Sequence, residues 1–336
     1  MFGQRLRPLT NGRDFMVQGA VNLIPEAPVA QIANLAQHAE QRGFQRCWVY
    51  DEGLAARDVY VTLTAIAVAT RSINIGPGIT NPYTRHMTST AGAIAALDEL
   101  SDRRAFLGVG AGGSMTLDPI GLSRPKPVLA VRELIESSRA LFSSEPVNFS
   151  GEFLEIHGAS LDYARSSTEI WLAGRGPRML ALGAQRCSGV MMDVIYKPHL
   201  AQTIERIRQL GRESGNQPKI SYSTMLVTDD RSMTIAKNHM TYRLIDSPPE
   251  VKEAIGLSDE NTNRLRSTMP EGLEAAGELV RDEWVLPFVI SGSVNECADE
   301  LSHMVERNSI DEFLVPVLDQ GTALQTINLA GEILGL

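Results

Sequence analysis

Short runs rich in β-branched and aromatic residues alternate with longer stretches of helical period through nearly all of the 336 residues, and this rhythm restricts the fold more than any single motif. A parallel strand pair needs a long crossover, usually a helix, so each strand–helix step adds one strand to a parallel sheet. Eight strands are expected at residues 15–23, 46–50, 73–79, 104–110, 169–173, 189–195, 220–227 and 312–317. Helical spacing covers 29–42, a stretch capped by Asp58 that runs to Thr70, then 87–100, 128–142, 178–187, 200–212, 233–244, 294–305 and 324–334. In the first of these, Ile32, Leu35, Ala36 and Ala39 fall on one face, and Gly43 follows as the residue that ends the helix. Two interruptions break the rhythm. Residues 147–156, with Phe149 and Phe153 around Ser150-Gly151, read as a β-hairpin, and 246–286 is too long for a plain loop, so it reads as a helical insertion whose Trp284 helps roof a pocket. Eight steps favour a closed (β/α)8 TIM barrel with insertions, in the α/β class and as one domain, over an open doubly wound sheet.

Charge and composition narrow the partners. Lys and Arg total 31 against 40 Asp and Glu, a net charge of −9, which argues against a basic surface for nucleic acid. The longest apolar stretches, 59–70 and 91–97, are well short of the ~20 residues that a bilayer span needs. The first residues lack the apolar core and cleavage site of a secretory signal, so a cytoplasmic location is expected. Cys47, Cys187 and Cys297 stand far apart and are odd in number, which fits neither a disulfide framework nor a thiolate metal site. The histidines show no metal-ligand spacing, and no GxSxG or Cys/His arrangement is evident.

Four stretches could carry chemistry. Gly108 to Gly113 spells G-x-G-x-x-G, but three strands precede it and Pro119, Pro125 and Pro127 follow, whereas a dinucleotide fingerprint opens a helix at once. The alternatives are a tight turn or a place where Gly110, Ala111 and Gly112 let a flat ring approach the backbone. After Ala173, the run Gly174-Arg175-Gly176-Pro177-Arg178 puts Pro at a helix start beside exposed amides and two arginines, which suits a phosphate. Gly78-Ile79-Thr80-Asn81 leaves the third strand between two prolines, an unusual backbone of the kind that clasps a ligand, and leads to Tyr83, Arg85 and His86. His86 there is either a hydrogen-bonding brace or an acid. Asp51-Glu52 ends the second strand, on the face where barrel enzymes carry their sites, and could supply a carboxyl of raised pKa or a solvated acidic turn.

IGPGITNPYTRH (75–86) and AIAALDELSDRRAFLGVGAGGS (93–114) together resemble the luciferase-like monooxygenase superfamily, closest to its coenzyme F420-dependent branch typified by methylenetetrahydromethanopterin reductase. RELIESSRALF, NFSGEFLEI, IWLAGRGPRMLALGA and SGSVNECADEL extend the resemblance over most of the chain. It implies a TIM barrel, with F420, or alternatively FMN, at the C-terminal ends of the strands. It implies that Gly174, Arg175, Gly176 and Pro177 cradle the cofactor phosphate, and that Gly78-Ile79 is a cis peptide supporting the ring. The implied activity is hydride transfer between the deazaflavin C5 and a C=O, C=N or C=C carbon of a small molecule, in a homodimer. An FMN monooxygenase and a non-catalytic flavin binder are the rival readings. The chain departs from the family pattern at Met87, at Asp102-Arg103 where Gly-Gly is usual, at Cys187-Ser188, and at Ala111 and Gly113, where several F420 enzymes place an acid. Glu52 is therefore the candidate proton donor, with Asp51 and His86 behind it.

Overall fold

The computed structural model describes residues 17–336, so the first two residues of the strand expected at 15–23 lie outside the described residues. Eight parallel strands form the centre: β1 Gln18–Leu23, β2 Arg46–Val49, β3 Asn74–Pro77, β4 Leu107–Val109, β5 Ile170–Ala173, β6 Gly189–Asp193, β7 Lys219–Ser223 and β8 Glu312–Val317. Their spatial order is β3-β2-β1-β8-β7-β6-β5-β4, and bridges from Ile75 to Ala105 and from Thr80 to Val109 join the two ends. The sheet is therefore closed, as a (β/α)8 barrel.

Helices α1 Val29–Gln41, α2 Val59–Ala69, α3 Met87–Leu100, α4 Pro127–Leu141, α5 Pro177–Arg186 and α6 Leu200–Glu213 follow the first six strands. Asp58 starts α2 by accepting from the amides of Tyr60 and Val61, at 2.9 Å each. Gly43 takes φ +99° just past α1, a conformation that needs glycine. The excursion after α4 pairs Val147–Ser150 with Glu155–Ala159 antiparallel, and its turn is closed by the Gly151 amide on the Leu154 carbonyl, so the chain reverses at Glu152-Phe153 rather than at Ser150-Gly151.

The largest difference from the sequence expectation lies after β7. The strand expected at 220–227 ends at Ser223, and Leu226–Val227 pairs instead with Ile290–Ser291 in a separate two-stranded sheet. The following helix, α7 Asp230–Ile245, packs on Asp259–Thr268, Leu273–Gly277 and Asp282–Val285 rather than completing the barrel wall. That wall is completed by α8 Val294–Asn308, which touches α6 and α9 Ala323–Leu334. Ala236, Met240 and Leu244 of α7, spaced four apart, are buried with Val251, Leu265, Val285 and Phe288 in a core of the insertion's own. Trp284 sits in that core at 2% exposure. It does not roof a pocket, contrary to expectation: a large apolar ring is most stable inside the insertion's own core.

The barrel interior is layered. Arg46 lies at the N-terminal end, with its guanidinium carbon 4.5 Å from the ring centres of both Phe106 and Trp171. It pairs with Glu169 at 2.9 Å and Glu312 at 2.8 Å. Burial alone would raise the Glu169 carboxyl, but the Arg46 charge and bonds from Lys219, Arg46 and Trp171 bring it down to about 2. Above this sit Trp48 and Phe106, with ring centres 4.5 Å apart, and Trp171, 5.7 Å from Trp48.

At the end of α3, Asp102 and Arg103 occupy φ +54° and +67°, where side chains crowd the backbone. Arg103→Gly should relieve this and raise unfolding stability by about 1 kcal/mol, net of the greater freedom of glycine when unfolded. Urea denaturation of the two proteins measures the difference, and an unchanged or lower midpoint would refute the strain.

Candidate functional site

The C-terminal ends of the strands open into a cleft of about 800 Å³. Its floor is Ile79, Ala173 and Met191, and its sides come from the loops after β2, β4, β5 and β6. This is the face on which barrels of this kind collect functional loops.

On one side, Gly174, Arg175, Gly176, Pro177 and Arg178 line the cleft at the start of α5. Pro177 is the first helical residue, and no side chain caps the helix, so its first-turn amides are free to meet an anion. The helix dipole adds partial positive charge there, and the exposed Arg175 and Arg178 add full charges.

On another side, the Gly78–Ile79 bond is cis, as the resemblance implies. The Asn22 side chain donates to the Gly78 carbonyl at 3.0 Å, while its own Oδ1 is buried with no partner. Ile79 lies over Gly110, where any Cβ would overlap the Ile79 side chain. Gly110 thus seats Ile79 and does not line the cleft; Ala111, Gly112 and Gly113 do. Thr80 and Asn81 are buried beneath the surface. Thr80 donates to Asp51 at 2.8 Å, and Asn81 Oδ1 accepts from the amides of Tyr83 and Thr84. They brace the ledge from below. His86 stands apart from the cleft: it is exposed at the start of α3, with Nδ1 2.7 Å from Thr88 Oγ1. Of the two readings of His86, the hydrogen bond to Thr88 fits a brace, and the side chain is not among those that line the cleft.

The carboxylates are brought together. Asp51 and Glu52 both line the cleft, and Thr116 donates to Glu52 at 3.0 Å. Burial pushes the Glu52 carboxyl above its ordinary value, and the charges of Asp51 and Glu26 push it further. Burial likewise raises Asp51, against the hydrogen bond from Thr80. Asp193, at the end of β6, is a third such group: burial raises it while Arg175, Ser223 and Arg243 oppose. Tyr50 is held well above the ordinary phenol value by burial and by Asp193 and Glu52, so it keeps its proton. Sequence reasoning did not single out Asn22, Tyr50, Thr116 or Asp193. Asn22 and Asp193 were findable, because each is a polar residue ending an apolar barrel strand on the functional face.

A carboxyl whose pKa is higher when folded than when unfolded favours folding at low pH and loses that contribution as pH rises through the folded value. Glu52→Gln should therefore be more stable than the parent at pH 7, and the advantage should fade as pH falls through the raised folded value of Glu52 and be gone by about 4.3, the ordinary glutamate value of the unfolded chain. Thermal melts from pH 4 to 8 check this sign, and a variant less stable at pH 7 would contradict it.

The family model described as luciferase-like monooxygenase matches residues 12–311. A 5,10-methylenetetrahydromethanopterin reductase of Archaeoglobus fulgidus is 30% identical over 295 residues, covering 84% of this chain and 89% of that one. The protein so described from Methanolobus tindarius is 29% identical over 294 residues, covering 85% and 90%. Among solved structures, the coenzyme F420 dependent tetrahydromethanopterin reductase from Methanopyrus kandleri superposes with a TM-score of 0.83 at 25% identity, over 94% of this chain and 97% of that one. With a matching barrel and a family model that spans most of its length, the chain belongs to the luciferase-like monooxygenase family.

Proposed function

We propose that this chain is an F420-dependent oxidoreductase that moves a hydride between the deazaflavin and a C=O, C=N or C=C carbon of a small organic substrate. The observation that carries it is a single cleft into which both the uncapped start of α5 and a half-buried Glu52 of raised pKa open. The similar protein from Methanopyrus kandleri is described as coenzyme F420 dependent.

The residues fit such a group. The Gly176 and Arg178 amides on either side of Pro177, with Arg175, suit its phosphate, and the orphaned Asn22 Oδ1 beside Gly78 can take a ring N–H donor. Ala111 and Gly112 leave the facing wall low enough for a flat ring. When bound, the cofactor supplies or accepts the hydride. Glu52 gives a proton to the substrate heteroatom during reduction and recovers it in the reverse direction, with Thr116 holding one carboxyl oxygen. Burial raises the Glu52 carboxyl, and Asp51, held by Thr80, adds to that rise through like charge.

Titrating F420 into the purified protein should quench the cofactor's fluorescence on binding. Arg175→Ala should weaken binding about tenfold, the loss expected for one hydrogen bond to a charged group. Glu52→Gln should keep that affinity while lowering kcat by a factor on the order of 100 or more. Retention of FMN with no affinity for F420 would overturn this reading.

The working unit in this proposal is a homodimer in the cytoplasm. Helix α2 carries no charged residue, and Val61 and Val68, seven apart on one face, are 58% and 74% exposed. Leu100 of the neighbouring α3 is also exposed, which extends the apolar surface. Three free, buried cysteines suit a reducing compartment. No helix among the described residues is long and apolar enough to cross a membrane. Light scattering should give twice the chain mass for the parent and a single chain mass for Val61→Glu/Val68→Glu, with unchanged F420 affinity. A monomeric parent would refute the dimer.

A further inference from the structure

Beyond Tyr50, Glu52 and Asp193 the barrel mouth holds a second chamber, of about 240 Å³. These three side chains line both cavities and form the ridge between them. The cleft already described takes residues from β1 to β6, whereas the chamber extends to the ends of β7 and β8. Ile24 just past β1, Met225 after β7, and Pro316 and Leu318 at the end of β8 are its walls. The insertion brings down Leu273 and, from α7, His239.

The lining restricts what can enter. Among the described residues no Lys or Arg faces the chamber, so a carboxylate or phosphate there would have no counter-charge from its walls. Glu26 also lines the chamber, but its side chain is exposed, so solvent screens its charge, and the acidic ridge does not by itself call for a cation. Burial favours the neutral form of Glu52, and Arg175 and Arg243 oppose the charge of Asp193. The Tyr50 hydroxyl and the Glu52 carboxyl both line the ridge, and burial shifts each toward its protonated form, so both suit an acceptor oxygen placed there. At the far wall, His239 has no hydrogen-bond partner among the described residues, and burial lowers its pKa despite the charge of Asp319. A neutral imidazole there can donate or accept one hydrogen bond. At ~30 Å³ for a water-sized group, the volume has room for about eight such groups.

We propose that this chamber is the substrate half of the site and that the insertion, through Leu273 and His239, selects compact uncharged carbonyl compounds with one further hydrogen-bonding group for His239. Their carbonyl oxygen lies at Tyr50 and Glu52, and the remaining carbons fill the apolar walls. The reduction would balance: a hydride from the bound reduced deazaflavin goes to the carbonyl carbon, Glu52 gives a proton to the oxygen, and the ring N–H proton that the cofactor loses on oxidation returns through solvent to Glu52, leaving an alcohol, the oxidised cofactor and the carboxyl as it began. This assignment rests on the proposed oxidoreductase activity, and its test separates the two.

The probe is 4-hydroxycyclohexanone, with cyclohexanone and the anion pyruvate as controls. Saturation-transfer NMR should show 4-hydroxycyclohexanone binding to the protein with and without F420, and no binding of pyruvate. Leu273→Trp, which fills the chamber, should abolish that signal while leaving F420 affinity within about twofold. His239→Leu should raise KM for 4-hydroxycyclohexanone about tenfold, the scale of one lost hydrogen bond, and leave KM for cyclohexanone unchanged or lower. Unaltered probe binding in Leu273→Trp, equal effects of His239→Leu on both ketones, or turnover confined to pyruvate or to a pterin would overturn the chamber assignment. Failure of the parent to bind F420 while the NMR signal persists would instead overturn the cofactor reading alone.

Discussion

The barrel can close only because its interior matches large side chains to missing ones. Trp48, Phe106 and Trp171 occupy the centre, and each meets a strand residue that has no side chain. A Cβ on Gly76 would overlap the Phe106 ring and carbonyl, one on Gly108 would overlap the Pro77 carbonyl, and one on Gly189 would overlap the Trp171 ring. Two of these glycines lie on β3 and β4, the strands whose bridges complete the circle. Packing of this density tolerates little change in volume, so the seam and the aromatic layer are set together. Arg46, held between two of the rings and two carboxylates, closes the N-terminal end.

That solid lower half leaves polar chemistry only one place to go. Above the aromatic layer the strands end in Asn22, Tyr50-Asp51-Glu52, the Gly78–Ile79 ledge and Asp193. The low-dielectric floor beneath them is the reason the carboxyls lean toward their protonated forms. The same ledge that Gly110 and Asn22 support is therefore adjacent to groups able to exchange a proton, while α5 presents open amides to the other end of the cleft.

The insertion is a second folding unit with respect to packing. Its core around Met240, Leu265, Trp284 and Phe288 is a cluster distinct from the main barrel core but reaches Val194, Met225 and Leu318 at the strand ends, and it is anchored where Leu226–Val227 meets Ile290–Ser291. Leu273 and His239 lie on the insertion and not on the barrel strands, which is why the proposed selection of substrate is located on them.

Hydrophobic period was enough to place all eight barrel strands, the α5 start at Pro177 and the Asp58 cap, because each depends on neighbours within a few residues. Motif resemblance added the cis bond at Gly78-Ile79. Local pattern misassigned α7, since a helix with one apolar stripe looks the same whether it packs on a barrel or on an insertion. It also could not separate His86 from Glu52, two polar residues on loops at the same end of the barrel, of which one turns out to solvent and the other into the cleft. The amino-acid sequence by itself determined the order and type of elements and the chemistry carried at each strand end. Only the tertiary structure decided which of those groups share a cleft, that Asp193 joins Glu52 on a ridge between two cavities, and how burial shifts their protons, because distance and desolvation depend on residues remote in the chain.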